Sequence, residues 1–257
     1  MKLKYSVALA AMVLFAGVNG AKAEEAGSLW NGMYISAGGG ASFLQADEAR
    51  NSQIDDNNNL ANYWSMNDGS NDAGAFGAFG TVGGGFNMSG GSALVGLDAS
   101  YDMGKAKYER EDNLACYADE ANCNSDYESS LSIGNRWSVG GRLGILASDN
   151  VLLFASAGYT QAKVNASATF EGFDDNSNNN VVLSDSSSEW ADGYYVGGGI
   201  EAALSENVSV RAEYRYADYG SISLADSYGN GSSNNYLEHD FSDITEQSVR
   251  MTLAVHF

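Results

Sequence analysis

Residues 248–257 read "SVRMTLAVHF". Val249, Met251, Leu253, Val255 and Phe257 alternate with Ser248, Arg250, Thr252, Ala254 and His256, so one face of an extended strand is apolar and the other is not. The period of two predicts a strand rather than a helix. Whether its apolar face meets a protein core or lipid depends on the rest of the chain.

The same alternation recurs upstream. In 93–103, Val95, Leu97, Ala99, Tyr101 and Met103 oppose Gly96, Asp98, Ser100 and Asp102. In 135–146, Trp137, Val139, Leu143 and Ile145 oppose Arg136, Ser138 and Arg142. In 208–216, Val208, Val210, Ala212, Tyr214 and Tyr216 oppose Arg211, Glu213 and Arg215. Every strand arginine falls on the face of small and polar residues. A soluble barrel would turn its apolar face inward. Here the charged face suits a narrow polar lumen and the apolar face suits lipid.

Eight strands are predicted, at about 31–44, 75–88, 93–103, 128–146, 151–163, 190–204, 208–219 and 245–257. Short links, "NMSGG", "SDN" and "SEN", alternate with long ones at 45–74, 104–127, 164–189 and 220–244. Strict alternation of short and long connections is the pattern of an antiparallel up-and-down transmembrane β-barrel, with short periplasmic turns and four long extracellular loops. Acid is concentrated in those long segments, which hold 21 acidic residues against Arg50, Lys105, Lys107 and Arg110. Phe86 and Phe257 near the periplasmic strand ends, and Tyr101, Tyr159, Tyr194 and Tyr216 near the loop ends, resemble the two aromatic girdles of such a barrel.

The N-terminus, "MKLKYSVALAAMVLFAGVNGAKA", has Lys2 and Lys4, an apolar run and a terminal Ala21-Lys22-Ala23. This is the pattern of a cleaved signal peptide spanning 1–23, leaving a barrel domain of 24–257. The apolar run is shorter than the ~20 residues a spanning helix needs. Without those 23 residues the chain has 10 Lys+Arg against 33 Asp+Glu, a net charge of −23. So acidic a chain argues against nucleic acid as a partner. The two cysteines, Cys116 and Cys123, are expected to form a local disulfide in an oxidising compartment.

An eight-stranded barrel is only wide enough for its interior to be filled by side chains, and charges buried there must be paired. Asp98, Glu201, Glu213, Arg136, Arg142, Arg211, Arg215 and Arg250 are therefore expected to form a lumen network. Turning the chain at "SEN" sets Glu201 opposite Arg211, and Arg142 is expected to meet Asp98.

Four segments in order, "WNGMYISAGGGAS", "GGRLGILASDNVLLFASAGY", "DGYYVGGGIEAALSENVSVRAEYRYADYGSI" and the closing "SVRMTLAVHF", resemble the porin-like outer-membrane β-barrel family, which includes the opacity proteins and the 25–31 kDa alphaproteobacterial major outer-membrane proteins. The resemblance implies an OmpA-like eight-stranded barrel in the outer membrane of a Gram-negative bacterium, in contact with lipid and lipopolysaccharide. It also implies an assembly signal in Val249, Met251, Leu253, Val255 and Phe257, read by the barrel-assembly machinery. The family's roles are envelope integrity, adhesion and surface antigenicity, which implies a host or surface ligand at the long loops.

Catalysis is not expected. A lipid A-modifying barrel would need an assembled nucleophile, base and acid. The candidate is His239 beside Asp240 and Ser242 in "LEHDFSD", where adjacency in sequence is not triad geometry. No cofactor or metal is expected either. "DDNNN" and "DDNSNNN" offer oxygen ligands but lack the EF-hand spacing, and their composition is that of solvated loops. The reading is thus a structural, surface-exposed barrel, the alternatives being a small-solute channel or a lipid A-modifying enzyme.

Overall fold

The computed structural model describes residues 29–54, 64–115, 124–174, 179–228 and 235–257. The expected signal peptide, both cysteines and "DDNNN" lie outside these residues, as does the middle of "DDNSNNN".

Nine β-segments form one antiparallel sheet: β1 Gly32–Ile54, β2 Trp64–Gly90, β3 Ala93–Ala115, β4 Asn124–Ser148, β5 Val151–Asp174, β6 Asn179–Ala203, β7 Val208–Asp218, β8 Ile222–Tyr228 and β9 Asn235–His256. Each pairs with the next in sequence up to β7, and β9 pairs back onto β1, which closes the ring. β7 and β8 are two halves of one barrel strand, since β7 lies along 245–255 of β9 and β8 along 235–241. The break between them is made by Gly220, whose positive φ of 76° is open to glycine at no steric cost, and by Asp243 opposite at φ 50°. The barrel thus has eight staves.

The staves are much longer than the 9–11 residues a tilted strand needs to cross a bilayer. β2 runs for 27 residues and β4 for 25. The long connections expected as loops are strand for most of their length, because their inward positions are apolar. Along 162–170, Ala162, Val164, Ala166, Ala168 and Phe170 are buried while Lys163, Asn165, Ser167 and Thr169 face outward. Leu131, Ile133, Leu183, Leu224, Leu237 and Phe241 join the same core.

The barrel therefore has two storeys of opposite polarity. In the lower one, the exterior is apolar, with Met33, Phe76, Leu97, Leu143 and Met251 exposed, and the interior is charged. In the upper one, the interior is apolar apart from a buried polar cluster around Glu48, and the exterior is polar. An apolar face is stable against either lipid or a dry core, so each storey puts it where water is absent. The change of storey coincides with register shifts between Gln45 and Asp47, Asp102 and Ala106, and Ile133 and Arg136. The base is closed by Leu29 and Trp30, packed with Leu94 and Leu152, and Trp30 donates its indole N–H to the Asp149 carbonyl at 3.2 Å.

Candidate functional site: the charged lumen

Each of the eight charged residues expected in the lumen is buried and faces inward. The closely packed glycines Gly96, Gly140 and Gly197 on the same face leave room for their long side chains, since a Cβ at any of them would collide with neighbouring atoms. The charges are arranged in tiers.

In the lowest tier, Glu201 is the hub. It lies directly across from Arg211 in the β6–β7 pairing and accepts from Arg211 Nε at 3.0 Å and from Arg142 Nη1 at 2.8 Å. Its other oxygen accepts from the Ser209 hydroxyl at 2.6 Å. Arg142 also donates to Asn87 at 2.9 Å. Both guanidinium groups stack over the Tyr34 ring, at 4.9 and 5.0 Å, which adds a cation–π attraction.

The expected pairing of Arg142 with Asp98 is not formed. In the β3–β4 register Arg142 faces Gly96 and Asp98 faces Gly140, so the two are displaced along the strands and Arg142 reaches Glu201 instead. Asp98 belongs to the middle tier, 3.7 Å from Arg215. There Arg215 Nε donates to Glu213 at 2.8 Å and stacks on Tyr195 at 4.4 Å.

The upper tier adds two residues that sequence reasoning did not place in the network. Asp102 is 2.9 Å from Arg250 and 3.4 Å from Arg136, and Glu246 is 2.9 Å from Arg136. The signal for both was present, since Asp102 continues the Asp98 parity and Glu246 the Arg250 parity. Two cavities of about 20 Å³ each interrupt the packing between tiers, one lined by Arg136, Arg215 and Arg250 among others, one by Tyr34, Asp98 and Arg211. Either has room for about one water.

A separate cluster lies at the top of the upper storey. Glu48 accepts from Ser129 at 2.5 Å and from Tyr108 at 3.2 Å, and lies 3.3 Å from both Arg50 Nη2 and His239 Nε2. Tyr127 is hydrogen-bonded to His239 Nδ1, and Arg50 also reaches Asp112 at 2.7 Å. Burial, aided by the charge of Arg50 and opposed by Glu48, lowers the His239 pKa from 6.5 to about 4. His239 is therefore neutral at pH 7. This cluster was missed because Glu48 and Arg50 fall in a segment expected to be loop.

The candidate triad is not assembled. His239 points inward while its neighbour Asp240 is exposed on the outside, as alternation along β9 requires. Val249, Met251, Leu253, Val255 and Phe257 face outward on β9, from 39% exposed at Val249 to 71% at Phe257. Among the described residues, no group of three or more His, Cys, Asp or Glu side chains is arranged to hold a metal ion.

Several solved structures are similar to this chain at low identity. Neisserial surface protein A is 12% identical, with 88% of this chain and 97% of that one covered and a TM-score of 0.36. The outer membrane protease OmpT from Escherichia coli is 11% identical over 89% and 97%, with a TM-score of 0.42. OprG from Pseudomonas aeruginosa is 12% identical over 88% and 97%, with a TM-score of 0.43. No curated protein sequence matches. The pattern of one family covers residues 7–257, nearly the whole chain, and with it the closed ring of staves receives its name: this chain belongs to the outer membrane protein beta-barrel domain family.

Proposed function

We propose that the protein is a structural, surface-exposed barrel of the outer membrane, exported by a cleaved signal peptide, with a plugged lumen and no catalytic site. The observation that carries this reading is the lumen itself. Its arginines are each within ion-pairing distance of a carboxylate, Trp30 closes the base and the apolar core of the upper storey covers the top. Moving an ion through would require breaking buried pairs, each of which leaves an uncompensated charge. The upper storey then serves to hold its acidic exterior, with Glu109, Glu111 and Glu128 exposed, above the membrane, where a host or surface ligand is met. The C-terminal strand, with its outward apolar face, is the segment presented to the barrel-assembly machinery.

The test is planar-bilayer recording of the purified barrel, together with protease shaving of whole cells. The plug predicts absent or rare conductance, with cleavage confined to the strand-connecting tips. Steady, single-sized conductance would replace this reading with that of a small-solute channel. Altered lipid A in a deletion strain, seen by mass spectrometry, would replace it with that of an enzyme.

A further inference from the structure

Beyond the expected signal peptide, the chain has three lysines, Lys105, Lys107 and Lys163, and all three are exposed on one strip of the outer wall. Lys105 on β3 and Lys163 on β5 flank β4 at the register shift that contains Gly134 and Asn135. A Cβ built on Gly134 would lie 3.9 Å from that of Lys163, so the bulge and the lysine are immediate neighbours. Two strand spacings separate Lys105 from Lys163, about 10 Å, which two lysine side chains can span from either side. Neither lysine has an ion-pair partner among the described residues, whereas Lys107 is paired with Glu109.

The strip is layered as a bilayer is. Below it the wall is apolar at Val139 and Leu143. Next come the exposed aromatic residues Tyr101, Trp137 and Tyr159, at the level that amphipathic rings favour, with Trp190 directly across from Lys163 on the rung above. The lysines follow, and above them Glu109, Glu111 and Glu128 face water. On β6 and β7 the outward ionisable groups on the rungs just below Lys163 are carboxylates, Asp192 across from Gln161 and held by it and Tyr159, and Asp218 across from Tyr194 and held by it. Across from Lys105 on β2 stands the uncharged Ala78, and the outward lysines of the described residues all lie on the β3–β5 face, so that is where the wall offers an anion a cation. We propose that Lys105, Asn135 and Lys163 form a binding site for a phosphate group of the outer-leaflet lipid. This rests on the outer-membrane reading above and adds which face of the barrel the anionic lipid occupies.

The test is native mass spectrometry of the intact barrel in detergent, titrated with bisphosphorylated lipid A, with enzymatically dephosphorylated lipid A, and with inorganic phosphate as competitor. The wild type should retain the phosphorylated lipid and not the dephosphorylated one. Lys105→Gln with Lys163→Gln should weaken retention about tenfold or more, since each lysine near an anionic surface is worth about 1 kcal/mol. Lys105→Arg with Lys163→Arg should keep it. Equal binding of both lipids by the wild type, undiminished binding by the double glutamine variant, or full displacement by millimolar phosphate would each overturn the proposal. Heat-modifiable mobility of every sample reports the barrel separately, so failure of the lipid site and failure of the outer-membrane reading are distinguishable.

Discussion

Arg142 of β4 and Glu201 of β6 meet at 2.8 Å with both side chains fully buried, although the whole of β5 separates their strands in the ring. The contact crosses a corner of the lumen, and Glu201 holds Arg211 at the same time. Glu201→Gln would leave two guanidinium groups facing an uncharged partner in the dry interior. Loss of one member of a buried ion pair typically costs about 3–5 kcal/mol. The expected outcome is a clear drop in the urea midpoint of the folded barrel in micelles. Replacing all three residues by apolar ones, as Arg142→Met, Glu201→Leu and Arg211→Met, should recover much of the loss. A Glu201→Gln variant as stable as the wild type would show that the hub carries no such weight.

Gly140 and Tyr195 share one place in the middle tier. A Cβ on Gly140 would overlap the Tyr195 hydroxyl and come within 2.5 Å of the Ala157 carbonyl oxygen. Gly140→Ala should cost about 1–3 kcal/mol by overpacking, read from the same denaturation curves. An unchanged midpoint would mean that the lumen has slack there.

The inversion of polarity between storeys makes the same substitution act oppositely at two heights of one strand. Leu143 faces lipid and Glu128 faces water on the outside of β4. Leu143→Arg should destabilise the barrel by about 2–4 kcal/mol if it lies near the bilayer midplane. Glu128→Arg should fall within about 0.5 kcal/mol of the wild type. Lipid-vesicle refolding equilibria measure both, and equal costs would contradict the placement of the membrane boundary between them.

His239 lies above the membrane-spanning part, and its pKa is depressed in the folded state. A base held neutral contributes no pH dependence above its unfolded pKa of about 6.5. As pH falls from about 6.5 to about 4, the unfolded segment takes up a proton that the folded one refuses, so the upper storey loses stability through that window. Protection factors for hydrogen exchange along 235–241, taken relative to the intrinsic rate at each pH, should fall over that range. In His239→Asn the pH dependence should be smaller, leaving what carboxylates such as Asp112 contribute: burial would raise its pKa, but the hydrogen bond from Arg50 and the charge of Arg110 hold it below the ordinary value. Identical pH profiles for variant and wild type would remove His239 from the account.

Phe257 tests assembly apart from stability. Its backbone N–H bonds the Met33 carbonyl at 2.9 Å, but its ring is exposed, so the side chain contributes little to packing. Phe257→Glu should therefore refold in detergent nearly as the wild type does, yet yield less heat-modifiable protein in the outer-membrane fraction of cells. Normal assembly in cells would count against the C-terminal strand as the recognised segment.

Period-two alternation was enough to sort the side chains of each strand into two opposite faces, because a strand's geometry puts consecutive side chains on opposite faces whatever lies beyond it. With the separate signal of short links alternating with long ones, that placed eight of the lumen charges and the closing strand, while Asp102 and Glu246 shared the parity and were left out. The tertiary structure decided who meets whom. Arg142 pairs with Glu201 and not Asp98 because closure of the ring brings non-adjacent strands within reach, and no local pattern encodes that distance. It also decided the fate of the long connections. The alternation of Ala162, Val164, Ala166, Ala168 and Phe170 with polar neighbours was visible, but in an Asn- and Ser-rich setting it reads as loop. Only when seven other staves supply the facing apolar residues does that face gain a core to bury, and only then is extending the strand worth its conformational entropy.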